Sequence, residues 1–240
     1  MNYKDLIRSV LMFLHLDLTK NLEYDRLTIK IMSQTIQPKS NCVDVGCHKG
    51  EILDIILKLA PNGNHYAFEP IPIFFEHLKH KYSSHVSVYP YALADKEEYT
   101  TFQFVKNAPA YSGIKKRKYD VENPDIEEIN VELKKLDEII PADVAIDFIK
   151  IDVEGAELGV LQGAKNILIK NKPVIIFEFG LGASDFYNTK PVDIYNLLVD
   201  EIGLQIYTLK GWLANDKGLS LTELKNLFNA NKEYYFIADK

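Results

Sequence analysis

Short apolar segments and amphipathic segments alternate from residue 42 onward, and this alternation limits the possible folds more than any other feature of the sequence. The short apolar runs are typical of buried strands, and the segments between them carry the apolar spacing of helices. Strands and helices in alternation form a mostly parallel, doubly wound sheet with right-handed crossovers, which is an α/β fold. The sequence predicts strands over 42–45, 65–69, 86–89, 148–153, 173–179, 204–209 and 234–238, and helices over 52–60, 72–81, 158–169 and 193–202.

The middle of the chain departs from this alternation. Residues 102–105 and 129–133 are predicted to form additional strands, and the polar segment 106–128 between them is predicted to be an insertion or loop. Its basic run, 115–118, either attracts an anionic ligand or is a solvated part of the loop. The insertion and residues 211–213 are expected to shape a substrate pocket.

Residues 1–38 are predicted to be a helical segment that precedes a domain formed by residues 39–240. Apolar residues within 6–14 follow the spacing of one helix face, and a second helix is predicted over 21–36, ending before Pro38. These helices either pack on the domain, cap a site or form a dimer contact.

Composition excludes several functions. The 240-residue chain has 28 basic and 34 acidic residues, a net charge of −6, and only three of the basic residues are Arg. A mildly acidic chain with few Arg is a poor nucleic-acid binder, so no nucleic-acid partner is expected. The two cysteines, Cys42 and Cys47, are too few for a disulfide framework and fit a reducing compartment. Without a long uncharged run or a signal-peptide cleavage pattern, the sequence predicts a cytoplasmic protein with no membrane span.

In a doubly wound sheet, ligands bind at the carboxyl ends of the central strands. The first strand leads into a turn in which Gly46 and Gly50 let the backbone approach a ligand closely. A dinucleotide-binding turn needs glycine at the position of His48, and a P-loop needs Ser or Thr after Lys49, so both are excluded. The turn suits a ligand with a carboxylate for the helix N-terminus and a cation near Asp44. The alternative is a tight turn with a buried Asp.

The second strand ends at Glu69, which is followed by Pro70. An acid at this position accepts hydrogen bonds from both hydroxyls of a ribose and repels a 2′-phosphate. The alternative is an ordinary helix-capping acid. The position of Glu69 after an apolar strand, in step with the glycine turn, favours ribose binding.

The fourth and fifth strands carry charges that are rare in buried strands. Lys150 and Asp152 share one face of the fourth strand, because side chains alternate with a period of two. A buried Lys needs a partner, and Asp44 or Glu178 is expected to provide it. Asp44, Lys150, Asp152 and Glu178 should therefore converge at the ends of three neighbouring strands, either as a functional site or as an ion-pair network.

The stretch 148–164, Phe-Ile-Lys-Ile-Asp-Val-Glu-Gly-Ala-Glu-Leu-Gly-Val-Leu-Gln-Gly-Ala, resembles the signature of FkbM-type methyltransferases. The glycine turn at 43–50, Phe-Glu-Pro at 68–70, Ala-Leu-Ala-Asp at 92–95 and Phe-Glu at 177–178 appear in the same order as in that family. The resemblance implies a class I methyltransferase (Rossmann-like) fold with a seven-stranded sheet. It also implies S-adenosylmethionine as the cofactor and, usually, O-methylation.

The resemblance further implies roles for individual residues. One departure is Cys47-His48-Lys49, where family members commonly carry Ala-Asn-Ile. Glu154 is the first candidate for a catalytic base, because it follows the fourth strand where the methyl group should point. The other candidate bases are Asp152, Glu178, His48 and Glu157, the last of which could instead complement a helix N-terminus. The cofactor site is expected to contain Asp44, Gly46, Cys47, His48, Gly50, Glu69, Pro70, Ala92, Leu93, Asp95 and Asp152, and the substrate site Tyr111, Ser112 and Glu157.

The methyl acceptor is predicted to be a small molecule or carbohydrate that carries a hydroxyl group. A magnesium ion held by Asp152 and Glu178 is an alternative, but two carboxylates do not establish a metal site and none is predicted. The alternative functions are methylation of RNA or protein, and a catalytically inactive cofactor-binding protein that acts through partners. A homodimer is compatible with the N-terminal helices.

Overall fold

A seven-stranded sheet forms the centre of the protein. The structure is a computed structural model that describes residues 19–82, 85–117, 119 and 121–240. The described residues form β1 (Cys42–Val45), β2 (His65–Phe68), β3 (Ser87–Tyr89), β4 (Tyr91–Leu93), β5 (Glu98–Val105), β6 (Ile126–Lys134), β7 (Phe148–Ile151), β8 (Val174–Glu178), β9 (Gln205–Thr208) and β10 (Tyr235–Asp239).

The main sheet has the strand order β3, β2, β1, β7, β8, β10, β9. The first five strands in this order are parallel, and β10 is antiparallel to both of its neighbours. The predicted mostly parallel α/β sheet of seven strands is confirmed. In this order the carboxyl ends of β1, β2, β7 and β8 meet at one edge of the sheet, which we call the carboxyl edge.

Helices cover both faces of this sheet. They are α1 (Lys20–Thr35), α2 (Glu51–Leu59), α3 (Pro72–Tyr82), α4 (Leu136–Ile139), α5 (Glu157–Gly163), α6 (Lys165–Asn171), α7 (Pro191–Tyr195), α8 (Leu209–Leu213) and α9 (Leu221–Asn229). Alternate residues of the strands pack under opposite helix layers, so Val43 and Val45 lie in one buried cluster and Cys42 in the other. No helix in the described ranges is both long and apolar enough to cross a membrane.

Several helices differ from the sequence-based prediction. The helix predicted over 158–169 is divided into α5 and α6 at Ala164, next to the point where Gly163 packs closely against the carbonyl oxygen of Ala94. The helix predicted over 193–202 begins at Pro191 and continues as a π-helical turn over Asn196–Glu201. The helices α4, α8 and α9 were not predicted.

The central part of the chain forms a second, three-stranded sheet in the order β4, β6, β5. The two additional strands are confirmed, and both are longer than predicted. The segment predicted as an insertion or loop contains a short 3₁₀ helix, Pro109–Tyr111, and its last residues belong to β6. Leu93, the last residue of β4, is buried in the same cluster as Val43 and Val45 of the main sheet.

The helix α1 confirms the prediction over 21–36. Thr19 caps its first turn by accepting a hydrogen bond from the backbone N–H of Leu22 at 3.3 Å. Its buried face, which includes Ile31 and Met32, packs into the cluster beneath the sheet. The helix predicted around residues 6–14 lies outside the described residues.

Candidate active site

Charged side chains converge at the carboxyl edge. The strand β1 pairs with β7 so that Asp44 lies opposite Lys150, and β7 pairs in turn with β8. Asp152 follows β7 directly, and Glu178 is the last residue of β8. Asp152, Glu154 and Glu178 each place a carboxylate oxygen within 4.8 Å of the others. The sheet topology therefore brings together the residues that the sequence placed at the strand ends.

Lys150 is buried and finds its partner on its own stretch of chain. Its ammonium group donates a hydrogen bond to Oδ2 of Asp152 at 2.9 Å. The prediction that Asp44 or Glu178 is its partner is wrong, because side chains two residues apart in a strand point the same way and meet first. The ammonium group also lies 5.0 Å from the ring centre of Tyr235, whose hydroxyl donates to the same Asp152 oxygen.

These contacts separate the pKa values of two neighbouring carboxyl groups. Burial opposes ionisation of Asp152, but the charge of Lys150 and hydrogen bonds from Tyr235 and Lys150 outweigh it and lower its pKa. Burial raises the pKa of Glu178 well above its ordinary value, and the charges of Asp152 and Glu157 add to this effect. Asp152 is therefore the ionised member of the pair, and Glu178 binds its proton more tightly.

Asp44 lies behind this pair and is 2% exposed. Its Oδ2 has no hydrogen-bond partner. Burial raises the pKa of Asp44 to about 7, against the attraction of Lys150 and with a smaller contribution from the charge of Asp152. A cation at this oxygen would satisfy it and favour its ionised form.

The two glycines of the turn after β1 are required by contacts within the protein. Gly46 has φ +77°, and a Cβ there would lie 1.9 Å from the carbonyl oxygen of Asp152. Gly50 has φ +80°, and a Cβ there would lie 2.3 Å from the hydroxyl of Tyr82. At both glycines the backbone therefore lies close to other atoms of the protein, whereas the sequence predicted a close approach to a ligand. Between them, the thiol of Cys47 is buried and donates to the carbonyl of Phe68 at 3.5 Å, and the backbone N–H of Cys47 donates to the same carbonyl at 3.3 Å.

Glu69 joins the glycine turn to the segment after β2. Its carboxylate accepts hydrogen bonds from the backbone N–H groups of His48 at 2.8 Å and Ile71 at 2.9 Å. Burial raises the pKa of Glu69 to about 7 despite these bonds. Burial also lowers the pKa of His48, whose ring stands edge-on to Phe74 at 4.4 Å and leaves Nε2 buried without a partner.

Some predicted site residues serve the protein's own backbone. The Glu157 carboxylate accepts from the N–H groups of Val153 and Gly155, both at 3.1 Å, and so holds the loop after β7. The Ser112 hydroxyl accepts from the N–H of Val105 at 3.0 Å. The Ser112 hydroxyl is thus buried and paired inside the fold, whereas the second carboxylate oxygen of Glu157, Oε2, is buried without a hydrogen-bond partner.

Arg117 and Glu154 form an ion pair across the site. The guanidinium group of Arg117 also stacks over the ring of Tyr111 at 5.4 Å. In the same basic run, the ammonium of Lys115 donates to the carbonyl of Phe186 at 3.3 Å and that of Lys116 lies 3.4 Å from a carboxylate oxygen of Glu128. Much of the run is thus paired within the protein. Neither Arg117 nor Tyr235 was predicted to be a site residue.

Other predicted positions lie at the periphery. Asp95 is exposed after β4 and borders a cavity of about 290 Å³ with Gly155 and Gly159. Pro70 follows β2, and Ala92 lies in β4. That residues 211–213 shape a substrate pocket stays a prediction, since α8 begins directly after the carboxyl end of β9. The indole of Trp212 donates to Asp239 at 2.9 Å, at the end of β10 farthest from the carboxyl edge.

Asp152, Glu154 and Glu178 could supply oxygen ligands to a metal ion. Two protein cations already lie against this group, because Lys150 bonds to Asp152 and Arg117 pairs with Glu154. The positive charges of Lys150 and Arg117 therefore balance much of the negative charge of the three carboxylates.

Comparisons with known proteins agree with this architecture. The profile of the methyltransferase FkbM domain matches residues 44–205. The methyltransferase FkbM from Methylobacillus flagellatus KT aligns with 98% of this chain and 60% of its own, at 17% identity and a TM-score of 0.51. Precorrin-6y C5,15-methyltransferase from Geobacter metallireducens GS-15 aligns with 90% of this chain and 89% of its own, at 13% identity and a TM-score of 0.46. A search of curated proteins gives no match.

The strand order is that of a class I methyltransferase fold. The profile match covers most of the chain, and the chain belongs to the FkbM methyltransferase family. It spans 60% of the length of the Methylobacillus flagellatus protein.

Proposed function

We propose that this protein is an S-adenosylmethionine-dependent O-methyltransferase that acts on a hydroxyl group of a sugar, a glycan precursor or a small metabolite. The observation that carries the proposal is the Asp152–Glu178 pair at the carboxyl edge, in which one carboxylate is ionised and the other has a raised pKa. A hydroxyl group is a weak nucleophile that loses its proton as it attacks, so a positioned base is needed.

The residues around the glycine turn fit the charges and hydroxyls of S-adenosylmethionine. The unpartnered oxygen of Asp44 and the ionised carboxylate of Asp152 favour a ligand with cationic groups. Each oxygen of Glu69 accepts one backbone hydrogen bond and retains a further lone pair for a ribose hydroxyl. When bound, S-adenosylmethionine supplies a methyl group activated by its sulfonium charge.

The other residues of the cofactor site are proposed from their positions in the fold. The backbone of Gly46, Cys47 and His48 borders the methionine side, and Pro70, Ala92 and Asp95 border the adenine side. Gly50 supports this site through its contact with Tyr82 rather than by touching the ligand. Tyr111 borders the acceptor side through its contact with Arg117.

Glu178 is the proposed proton acceptor. Its Oε2 is buried and has no hydrogen-bond partner, and a raised pKa makes its ionised form a stronger base. Glu154 is the second candidate, and its carboxylate is paired with Arg117. His48 is the third candidate, because its Nε2 has no partner.

The test begins with calorimetric titration of S-adenosylmethionine and S-adenosylhomocysteine, with NADH and ATP as controls. Methyl-tritiated S-adenosylmethionine is then incubated with pools of monosaccharides, nucleotide sugars and small hydroxylated metabolites, and labelled products are identified by mass spectrometry. We expect selective binding of the first two compounds and a methyl ether in one pool. Absence of binding, or label found in added RNA or protein instead of these pools, would overturn the proposal.

A further inference from the structure

Tyr235 stands between the first helix and the carboxylate cluster. It lies opposite Glu178 in the antiparallel pairing of β10 with β8, so its side chain starts at the carboxyl edge. Its hydroxyl donates a hydrogen bond to Oδ2 of Asp152. Its ring centre lies 5.0 Å from the ammonium group of Lys150, which bonds to the same oxygen. Tyr235 therefore contacts both members of the Lys150–Asp152 ion pair.

The ring of Tyr235 is supported from the other side by Tyr24 of α1. Tyr24 is 3% exposed, and its ring centre lies 5.1 Å from that of Tyr235 and 4.7 Å from that of Tyr234. Its hydroxyl donates to a carboxylate oxygen of Glu233 at 2.6 Å and accepts from the backbone N–H of Tyr234 at 3.2 Å. One side chain of α1 thus contacts three consecutive residues at the start of β10.

Further polar contacts fix the first turn of α1 to the same segment. The ammonium group of Lys20 donates to Glu233 at 2.9 Å, and the hydroxyl of Tyr234 donates to Asn21. Polar contacts of this kind define a position more narrowly than apolar packing, because they require specific donor and acceptor geometry. The start of α1 is therefore held in one register against residues 233–235.

We propose that α1 is a positioning element of the active site. Tyr24 fixes the ring of Tyr235, and the hydroxyl of Tyr235 directs the Asp152 carboxylate towards the positively charged sulfur of the cofactor. Without that hydroxyl, Lys150 alone orients Oδ2 of Asp152, and the carboxylate is free to turn towards the ammonium group of Lys150. This inference rests on the proposed function, because it assumes that S-adenosylmethionine binds at the carboxyl edge.

The test uses the ratio of the dissociation constants for S-adenosylhomocysteine and S-adenosylmethionine, measured by calorimetry. The two ligands share the ribose, adenine and amino-acid groups, but only S-adenosylmethionine carries a positive charge on sulfur. A carboxylate directed at the sulfur therefore raises this ratio, whereas general damage to the site weakens both ligands. Asp152→Asn is the reference, and we expect it to lower the ratio about tenfold, as for the loss of one charged interaction.

We expect Tyr235→Phe and Tyr24→Ala to lower the ratio about threefold or more, and Tyr24→Phe, which keeps the ring, to leave it near the wild-type value. Because both tyrosines act through Asp152, the double variant of Tyr24→Ala and Tyr235→Phe should have the ratio of Tyr235→Phe alone. Ile31→Ala is the matched control, since it truncates a fully buried side chain of α1 and keeps the hydrogen bonds and ring contacts that Lys20, Asn21 and Tyr24 make to residues 233–235. It should lower the melting temperature and leave the ratio unchanged.

A wild-type ratio in both Tyr235→Phe and Tyr24→Ala would overturn the inference, and so would an equal loss in Ile31→Ala. In either case the wild-type protein still binds S-adenosylmethionine and the proposed function stands. If the wild-type protein binds neither ligand, the proposed function fails and this inference fails with it.

Discussion

The backbone N–H of His48 donates to the Glu69 carboxylate at 2.8 Å, which fixes the glycine turn after β1 to the acid after β2. A second bond, from the N–H of Ile71 at 2.9 Å, fixes the chain beyond that acid. The carboxylate that is proposed to hold the ribose thus also sets the shape of the turn beside it. A change at Glu69 therefore acts on the ligand and on the turn together.

We predict that Glu69→Ala weakens the binding of S-adenosylmethionine and S-adenosylhomocysteine to a similar extent, by about tenfold or more. Both ligands carry the ribose, and loss of a charged hydrogen-bond acceptor costs about 1.5–3 kcal/mol. Calorimetric titration of both ligands checks this, and the ratio of their dissociation constants should stay at the wild-type value. Wild-type affinity in this variant would show that Glu69 does not hold the ribose.

Asp44 makes the stability of the free protein depend on pH. Burial raises its pKa to about 7, whereas the unfolded chain has the ordinary carboxyl value of about 4. Between these values the folded protein keeps a proton that the unfolded chain has released, so the free energy of unfolding falls as the pH rises through this window. Glu69 and Glu157, whose pKa values burial also raises to about 7, act in the same direction.

We predict that urea denaturation of the free wild-type protein shows lower stability at about pH 7 than at about pH 5.5, with about 2 kcal/mol of the difference due to Asp44. Asp44→Asn removes this titration and should reduce the difference by that amount. Binding of S-adenosylmethionine should tighten with rising pH in the wild type, because a cation favours the ionised form. An unchanged pH dependence of stability in Asp44→Asn would show that this carboxyl group titrates normally in the folded protein.

The sequence predicted where the charged residues of the site meet, because this depends on topology alone. Asp44, Asp152 and Glu178 each stand at or near the end of an apolar run, and parallel strands bring such ends to one edge whatever the side chains do. It did not predict the separate roles of Glu154 and Glu157. Their directions depend on the positive φ angles of Glu154 (57°) and Gly155 (106°), which turn one carboxylate towards Arg117 and leave the other bonded to the loop backbone.

Tyr235 could not be assigned from the sequence, because its contact with Asp152 requires the antiparallel register of β10 on β8. The partner of Arg117 likewise depends on how the β5–β6 connection folds back over the site. The helix α9, by contrast, carries a local signal. Ser220 and Glu223 form a capping box, with the Ser220 N–H donating to Glu223 at 2.8 Å, and this spacing is visible in the sequence.

We predict that the acid side of the pH–rate profile reflects the ionisation of the Glu178 carboxyl group. A general base must be ionised to accept a proton, and burial holds the pKa of this group well above its ordinary value. Turnover should therefore rise with pH over a range above that of an ordinary carboxyl group. Glu178→Gln should lower turnover at least about tenfold and remove this limb, while the dissociation constant for S-adenosylmethionine changes little. If Glu154→Gln has this effect and Glu178→Gln does not, Glu154 is the base.

Methyl transfer is predicted to continue at the full rate in excess EDTA. The charges of Asp152 and Glu154 are already met by Lys150 and Arg117, so the carboxylates do not need a metal cation to stay together. The measurement compares initial rates with EDTA, without it, and with added Mg²⁺. A loss of activity in EDTA that Mg²⁺ restores would assign a metal-assisted mechanism to the three carboxylates.

Two glycine-to-alanine substitutions test whether the turn after β1 requires glycine. One is at Gly46 in the turn, and the other is at Gly159, where the fold has room for a side chain. Gly46→Ala places a Cβ at φ +77°, 1.9 Å from the carbonyl oxygen of Asp152, and neither backbone can yield without moving β1 or β7. We expect a loss of about 2–4 kcal/mol in the free energy of unfolding. Gly159→Ala, within α5, places a Cβ 3.8 Å from the nearest atom of Ala94, which is an ordinary contact. It should be neutral or stabilise the protein by up to about 1 kcal/mol through helix propensity. Urea denaturation measures both, and wild-type stability in Gly46→Ala would show that the turn can shift at little cost.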